Sequence, residues 1–219
     1  MTRLGRSYPV GRVFLPPPKG SPPHVTYDAV GAGSTGSAPA ASFSFTATSG
    51  ADVFGVVTWD RTGTTLTGAT YGGVSMTQVG STVLRNNLAA NGGVAVFRLA
   101  NAGSGSGQTF AVTCSGTAWW IINTISFTGV NSVSSATSFG TGTTPSMSLS
   151  LAGNGTQTAL QIFSNSTSTA SSFSGTTNRY NGHASGSTLT LGTATASGTA
   201  SETLSATTDW AGVTLTIGP

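Results

Sequence analysis

Charge is what this chain has least of. Only 6% of its 219 residues are Asp, Glu, Lys or Arg, against roughly a quarter in an ordinary soluble domain. One cysteine, Cys114, excludes an internal disulfide and any multi-cysteine metal site. In the run TFAVTC it alternates with Phe110 and Val112, the pattern of a small packed side chain. Two histidines, His24 and His183, are too few and too far apart for an ordinary zinc site. No run of about 18 apolar residues exists, so no helix is expected to cross a membrane. The basic N-terminus is not followed by the apolar core of a secretory signal. Helix signals are nearly absent.

What replaces charge is Gly, Ser and Thr. Apolar residues make up 37% of the chain and sit in spaced runs, so the composition is that of a folded domain and not of a disordered segment. The remaining charge is uneven. Arg3, Arg6, Arg12 and Lys19 place four of the eight basic residues in the first 19 positions, where there is no acid; the other 200 carry four basic and five acidic groups, net −1.

Residues 1–24 hold six of the nine prolines, including Pro16-Pro17-Pro18, which favours an extended polyproline-type chain. They also carry Leu4, Tyr8, Val10, Val13, Phe14 and Leu15, which a pure spacer does not need. The segment reads as an attachment arm, with Arg3, Arg6, Tyr8, Arg12 and Phe14 as its contact residues. A loose proline-rich tail is the alternative. Nucleic-acid binding is not expected, because four positive charges without a folded basic face are a weak footprint.

The chain is organised around residues 52–100. DVFGVVTW (52–59) is nearly continuous in apolar residues, as a strand covered on both faces requires. ATYGGVSMTQVGS (69–81) turns at Gly72-Gly73, and VAVFRLA (94–100) alternates. The rest of the chain repeats this grammar. Strands are expected at 25–30, 41–47, 108–114, 118–127, 146–151, 158–164, 188–191, 201–206 and 210–217, with a surface loop at 165–178. The expected fold is all-β: a two-sheet antiparallel β-sandwich of jelly-roll type over residues 25–219, preceded by the extended arm 1–24.

Little in the sequence points to chemistry. Asp28, Asp52, Asp60, Glu202 and Asp209 are the only carboxylates, and each is expected at a strand end or turn, where Asp is ordinary. No acid–base pair, G-x-S-x-G elbow or calcium-loop motif appears. The Gly-rich pieces 31–36 and 103–107 precede no helix, so they do not read as phosphate cradles. No enzyme activity, cofactor or metal is expected. Sugar binding has more to offer. Trp59, Tyr71, Trp119, Trp120, Tyr180 and Trp210 are candidate rings, most of them expected in the core. Tyr180 with Arg179, in the polar run TNRYNGH (177–183), is the best exposed pair.

The series DVFGVVTW, ATYGGVSMTQVGS, VAVFRLA, GQTFAVTCSG, ISFTGVN and TPSMSLS resembles a family of β-sandwich domains in tailed-phage structural proteins and some bacterial surface proteins. Tyr71 to Thr77 and Ser126 to Val130 carry most of it. The opening MTRLGRSYPVGR is similar to the start of small virion proteins of phages infecting mycobacteria and their relatives, described as minor tail or particle-surface proteins. The resemblance implies a virion component made without a signal peptide. Its partners would be other capsid or tail subunits, and it would form a homo-oligomer, with a trimer among the options. It implies no catalytic residues. A glycan-binding module contacting the host envelope is the second reading.

Overall fold

A computed structural model describes residues 23–37, 39–60, 66–116, 120–152, 155–166 and 170–219. The arm residues 1–22 lie outside these, and so does Trp119. The first half contains β1 (Thr26–Val30), β2 (Ser34–Gly36), β3 (Ala40–Thr46), β4 (Asp52–Trp59), β5 (Leu66–Tyr71), β6 (Val74–Ser75), β7 (Thr77–Gln78), β8 (Val83–Leu84), β9 (Gly93–Leu99), β10 (Gly107–Cys114) and β11 (Trp120–Thr128). The second contains β12 (Ser132–Gly142), β13 (Ser146–Leu149), β14 (Thr158–Asn165), β15 (Ala170–Ser174), β16 (Thr177–Ala184), β17 (Ser187–Ala194), β18 (Gly198–Leu204) and β19 (Thr208–Gly218). Two short 3₁₀ turns, Arg85–Asn87 and Ala89–Asn91, join β8 to β9.

The all-β sandwich expected from sequence is the fold, and it occurs twice. The first half pairs its strands as β1-β11-β4-β9-β7 in one sheet and β3-β10-β5-β6 in another; the second half as β12-β19-β14-β17-β16 and β13-β18-β15. The orders coincide when β1 is matched with β12, β3 with β13, β4 with β14, β5 with β15, β7 with β16, β9 with β17, β10 with β18 and β11 with β19. In each half the chain passes back and forth between two sheets in the order of a jelly roll.

The larger sheet of each half faces the other, giving four layers. Alternation along β4 makes this visible. Phe54 and Val56 enter a central core with Leu160, Ile162, Leu189, Leu191, Val213 and Leu215 of the second half. Val53 and Val57 point the other way, to Tyr71, Phe110 and Trp120 inside the first sandwich. The matching pair on β14, Ala159 and Phe163, packs with Met147, Leu149 and Trp210 inside the second sandwich. A central strand of an inner sheet has no solvent face, so β4 and β14 are buried at every residue. At the sides, Arg179 of β16 stacks on Tyr27 of β1, its guanidinium carbon 3.9 Å from the ring centre. Ser135 of β12 lies beside Gly80, next to β7. The halves therefore face each other about an approximate twofold axis.

Local sequence explains the turns. Gly72 and Gly73 both have positive φ, 58° and 80°, and Tyr71 pairs with Val74 across them. This is the two-residue hairpin geometry that glycine adopts without strain. Four strands were not expected. β2 lies in the Gly-rich piece 31–36, read as a loop; the segment 165–178, read as surface loop, contains β15 and the start of β16; β12 and the rest of β16 lie where no strand is expected. All four are rich in Ser, Thr, Gly or Asn, so they lack the apolar alternation that marks a half-buried strand.

Gly55 sits under the Phe110 ring, where an added Cβ would fall 2.4 Å from a ring carbon. Gly55→Ala is expected to cost roughly 1–3 kcal/mol through overpacking, read as a lowered urea midpoint. Gly68→Ala, with nothing within 4 Å of the added carbon, is the control and is expected to be neutral or slightly stabilising.

Candidate functional site

Among the described residues, one cation is fully buried, and it marks where the halves meet. Arg85 has no exposed surface. It follows β8 in the turn before β9, and its guanidinium reaches across the central core. Nε donates to Ser164 Oγ (3.1 Å). Nη2 donates to Thr58 Oγ1, Ser164 Oγ and Ser187 Oγ, each at 2.9 Å. Nη1 donates to the carbonyls of Asn91 and Gly186, each at 3.1 Å. Thr58 and Asn91 belong to the first half; Ser164, Gly186 and Ser187 belong to the second. Thr58 and Ser164 hold matching register positions on β4 and β14, and their hydroxyls also bond to each other. Burial pulls the Arg85 pKa down to about 9, with Asp60 and Asp209 opposing the shift from a distance. The group is still cationic at neutral pH. Its five N–H groups find acceptors and no carboxylate, so it acts as an internal tie and offers no face to a ligand.

The second buried ionisable group is Glu202, on β18 inside the second sandwich. Oε1 accepts from Thr190 Oγ1 and from Gln161 Nε2 (3.3 Å). Oε2 has no partner among the described residues. Burial raises its pKa to about 7 against those two hydrogen bonds. In the first sandwich the matching space holds Gly55 and the Phe110 ring. The two sandwiches thus fill one position differently, with hydrocarbon in one and a hydrogen-bonded carboxyl in the other.

The remaining carboxylates also have structural partners. Asp52 is 2% exposed, forms an ion pair with Arg98 (2.6 Å) and accepts from the backbone N–H of Asn101 (2.9 Å). Asp28 accepts from Thr48 N–H (2.9 Å), Thr48 Oγ1 (2.6 Å) and Ser126 Oγ (2.7 Å). Partial burial pushes its pKa up, but those bonds outweigh burial and hold it below the usual value. Asp209 Oδ2 accepts from Asn91 Nδ2 at 2.6 Å, another contact between the halves. Asp28 and Glu202 lie within strands, not at the strand ends or turns expected for all five acids. Among the described residues, no three His, Cys, Asp or Glu side chains come together as a metal-holding group. His183 Nδ1 lies 3.0 Å from Thr188 Oγ1, and Cys114 Sγ donates to the Gly116 carbonyl (2.9 Å).

The described rings among those weighed for sugar stacking are engaged elsewhere; Trp119 lies outside the described residues. Trp59, Tyr71, Trp120 and Trp210 are buried. Arg179 and Tyr180 lie on strand β16, not in a polar loop. Arg179 stacks on Tyr27 and donates to Thr193 Oγ1 (2.8 Å). Tyr180 packs against the central core, and its hydroxyl abuts Gly33 of the first half. The contact residues assigned to the arm, Arg3, Arg6, Tyr8, Arg12 and Phe14, lie outside the described residues.

Sequence reading missed Arg85, which stands at the edge of a run of Asn, Ala and Gly and looks like a loop residue. A signal was there: it is one of only four basic residues beyond position 19. Among the described residues no helix is long and apolar enough to cross a membrane. Comparison with protein-family models, with curated proteins and with solved structures finds no match.

Two measurements test these assignments. Arg85→Ala leaves three buried hydroxyls and two carbonyls without their donor, and is expected to cost about 3–5 kcal/mol in urea unfolding. Arg85→Lys, a compact charge with three donors, is expected to restore only part of that. Glu202 holds its proton more tightly folded than unfolded. Its favourable contribution is complete below pH 4.5 and is lost as pH rises through about 7. The loss amounts to about 3 kcal/mol. Glu202→Gln should therefore remove a downward slope in stability between pH 4.5 and 8, and parallel curves for the two proteins would place that titration elsewhere.

Proposed function

We propose that the chain is a non-enzymatic structural component of a tailed-phage particle, attached by residues 1–24 and displaying the tandem jelly rolls on its surface, as a minor tail protein or a capsid decoration protein. The observation that carries this reading is where the charge lies. Every described charged side chain beyond residue 24 is buried or half-buried, and each carboxylate detailed above serves the fold. The sequence meanwhile concentrates four basic residues with Tyr8 and Phe14 in the first 19 positions. A body with a neutral hydroxyl-rich surface and a basic, apolar, proline-rich leader suits a subunit fixed in an assembly through the leader. The resemblance of ATYGGVSMTQVGS, ISFTGVN and MTRLGRSYPVGR to virion proteins supports the same reading, and jelly rolls recur in particle shells.

The glycan-binding alternative draws less support, since Trp59, Tyr71, Trp120 and Trp210 are core residues and Tyr180 is packed on the central core.

Deleting residues 1–24 is expected to leave unfolding of the remainder within about 1 kcal/mol of the full chain and to abolish incorporation into particles. Quantitative mass spectrometry of purified particles, normalised to the major capsid protein, reads the result. Normal incorporation of the shortened protein would overturn the attachment role, and absence of the full chain from particles would overturn the virion reading itself.

A further inference from the structure

The two jelly rolls treat matching edges differently. β1 is five residues long, is bulged between Tyr27 and Ala29, carries Asp28 and has Arg179 stacked on Tyr27. Short length, bulges and charge are what keep an edge strand from recruiting another strand. β12 has none of these. It runs eleven residues, Ser132–Gly142, in unbroken register with β19 and without charge or proline. Among the described residues no backbone group pairs with its outer side. Residues 134–137 are exposed, and Phe139 is 47% exposed. Beside it a groove opens between β12 and β13, with Ala136, Ser138, Ser146 and Met147 among its lining.

We propose that β12 is the receptor for residues 4–14 of a second copy of this chain, added to the sheet as a further strand. This rests on reading residues 1–24 as a docking arm and names what the arm docks on. Leu4, Arg6, Tyr8, Val10, Arg12 and Phe14 occupy alternate positions over eleven residues, the length of β12. In a strand, alternate residues turn their N–H and C=O to the same neighbour. Pro9 falls in the other set, so its missing N–H faces away from β12, where an edge tolerates proline.

The chain's geometry favours a neighbouring copy over its own β12. The His24 carbonyl lies against Gly129, three residues before β12 begins. Between Phe14 and His24 stand five prolines in nine residues, a composition that favours a semi-rigid extended linker, which at about 3.1 Å per residue would span roughly 28 Å. A linker of that length would carry residues 4–14 past the adjacent start of β12 and toward another molecule.

Sedimentation of the full chain across a concentration series tests this. Self-association is expected. Ala136→Lys, on an exposed edge residue, should weaken it about tenfold by repelling Arg6 and Arg12, and adding Arg6→Glu with Arg12→Glu should restore it. Ala136→Glu should preserve or tighten it. Val10→Pro, in the bonding set, should abolish association, whereas Ser7→Pro, in the outward set, should not. The two proline variants leave residues 25–219 intact, so they decide the matter even if a β12 variant misfolds. A monomer at all concentrations overturns the inference. So do equal losses from Ala136→Glu and Ala136→Lys, which would mean β12 pairing with β12, and so does indifference to where the proline is placed. A monomer that is still found in particles would overturn this inference alone and leave the virion reading standing.

Discussion

The packing of two inner sheets face to face is the constraint from which the rest follows. Seventeen buried side chains form the central core among the described residues, nine from the first half and eight from the second. Burying a Val, Leu, Ile or Phe is worth about 1.5–3 kcal/mol, while a whole domain is net stable by only about 5–15 kcal/mol. Neither jelly roll can expose its share of that surface and stay folded alone. The duplication is therefore one folding unit although its topology reads as two. Scarcity of charge follows as well. Inner strands have no water-facing side, and β4, β11, β14 and β19 supply much of each sandwich's interior.

A core of that kind says little about which way two flat sheets should meet, because apolar contacts are not directional. Arg85 adds direction. Thr58 and Ser164 hold equivalent positions and meet near the approximate twofold axis, and there is room for one guanidinium between the halves. A single arginine from the first half breaks the symmetry and fixes one register, because any slip would leave five N–H donors buried without acceptors. Glu202 shows the opposite case. With one carboxylate oxygen bonded and the other unpartnered, it is held neutral to about pH 7, a burial that lowers stability at neutral pH and fixes no register between the halves.

The inner strands were legible because burial on both faces writes a continuous apolar run, as in DVFGVVTW and AWWIINTISF. The Gly72-Gly73 hairpin was legible from backbone chemistry. β12, β15 and β16 were not, because sheet position and not side-chain pattern makes them strands. All three are sheet edges, and an edge of Ser and Thr resembles a loop in sequence. The doubling of the jelly roll was hidden for a related reason. Matching positions conserve only in-or-out polarity, as with Val53 and Ala159 or Phe54 and Leu160, and Gly55 answers to Gln161. Arg85 and Glu202 were unreadable as sites because each partner set is assembled from two or more strands that only the fold brings together.

Duplication also explains why the surface is uneven. Two copies of one fold packed about a twofold axis would have equivalent edges, and here they differ. β1 has Asp28, a bulge and a break at Gly31, whereas β12 has eleven regular residues free of charge. An unprotected edge of that length costs solubility when nothing covers it. It becomes tolerable when a segment able to pair with it is always at hand, and residues 4–14 match its length and period in sequence. The charge distribution points the same way. With every described charge of the body buried or half-buried, an arm docked on β12 would meet little long-range attraction or repulsion, and selectivity would fall to backbone pairing, to side chains fitting the β12–β13 groove, and to the proline-rich linker that sets how far away the partner must be.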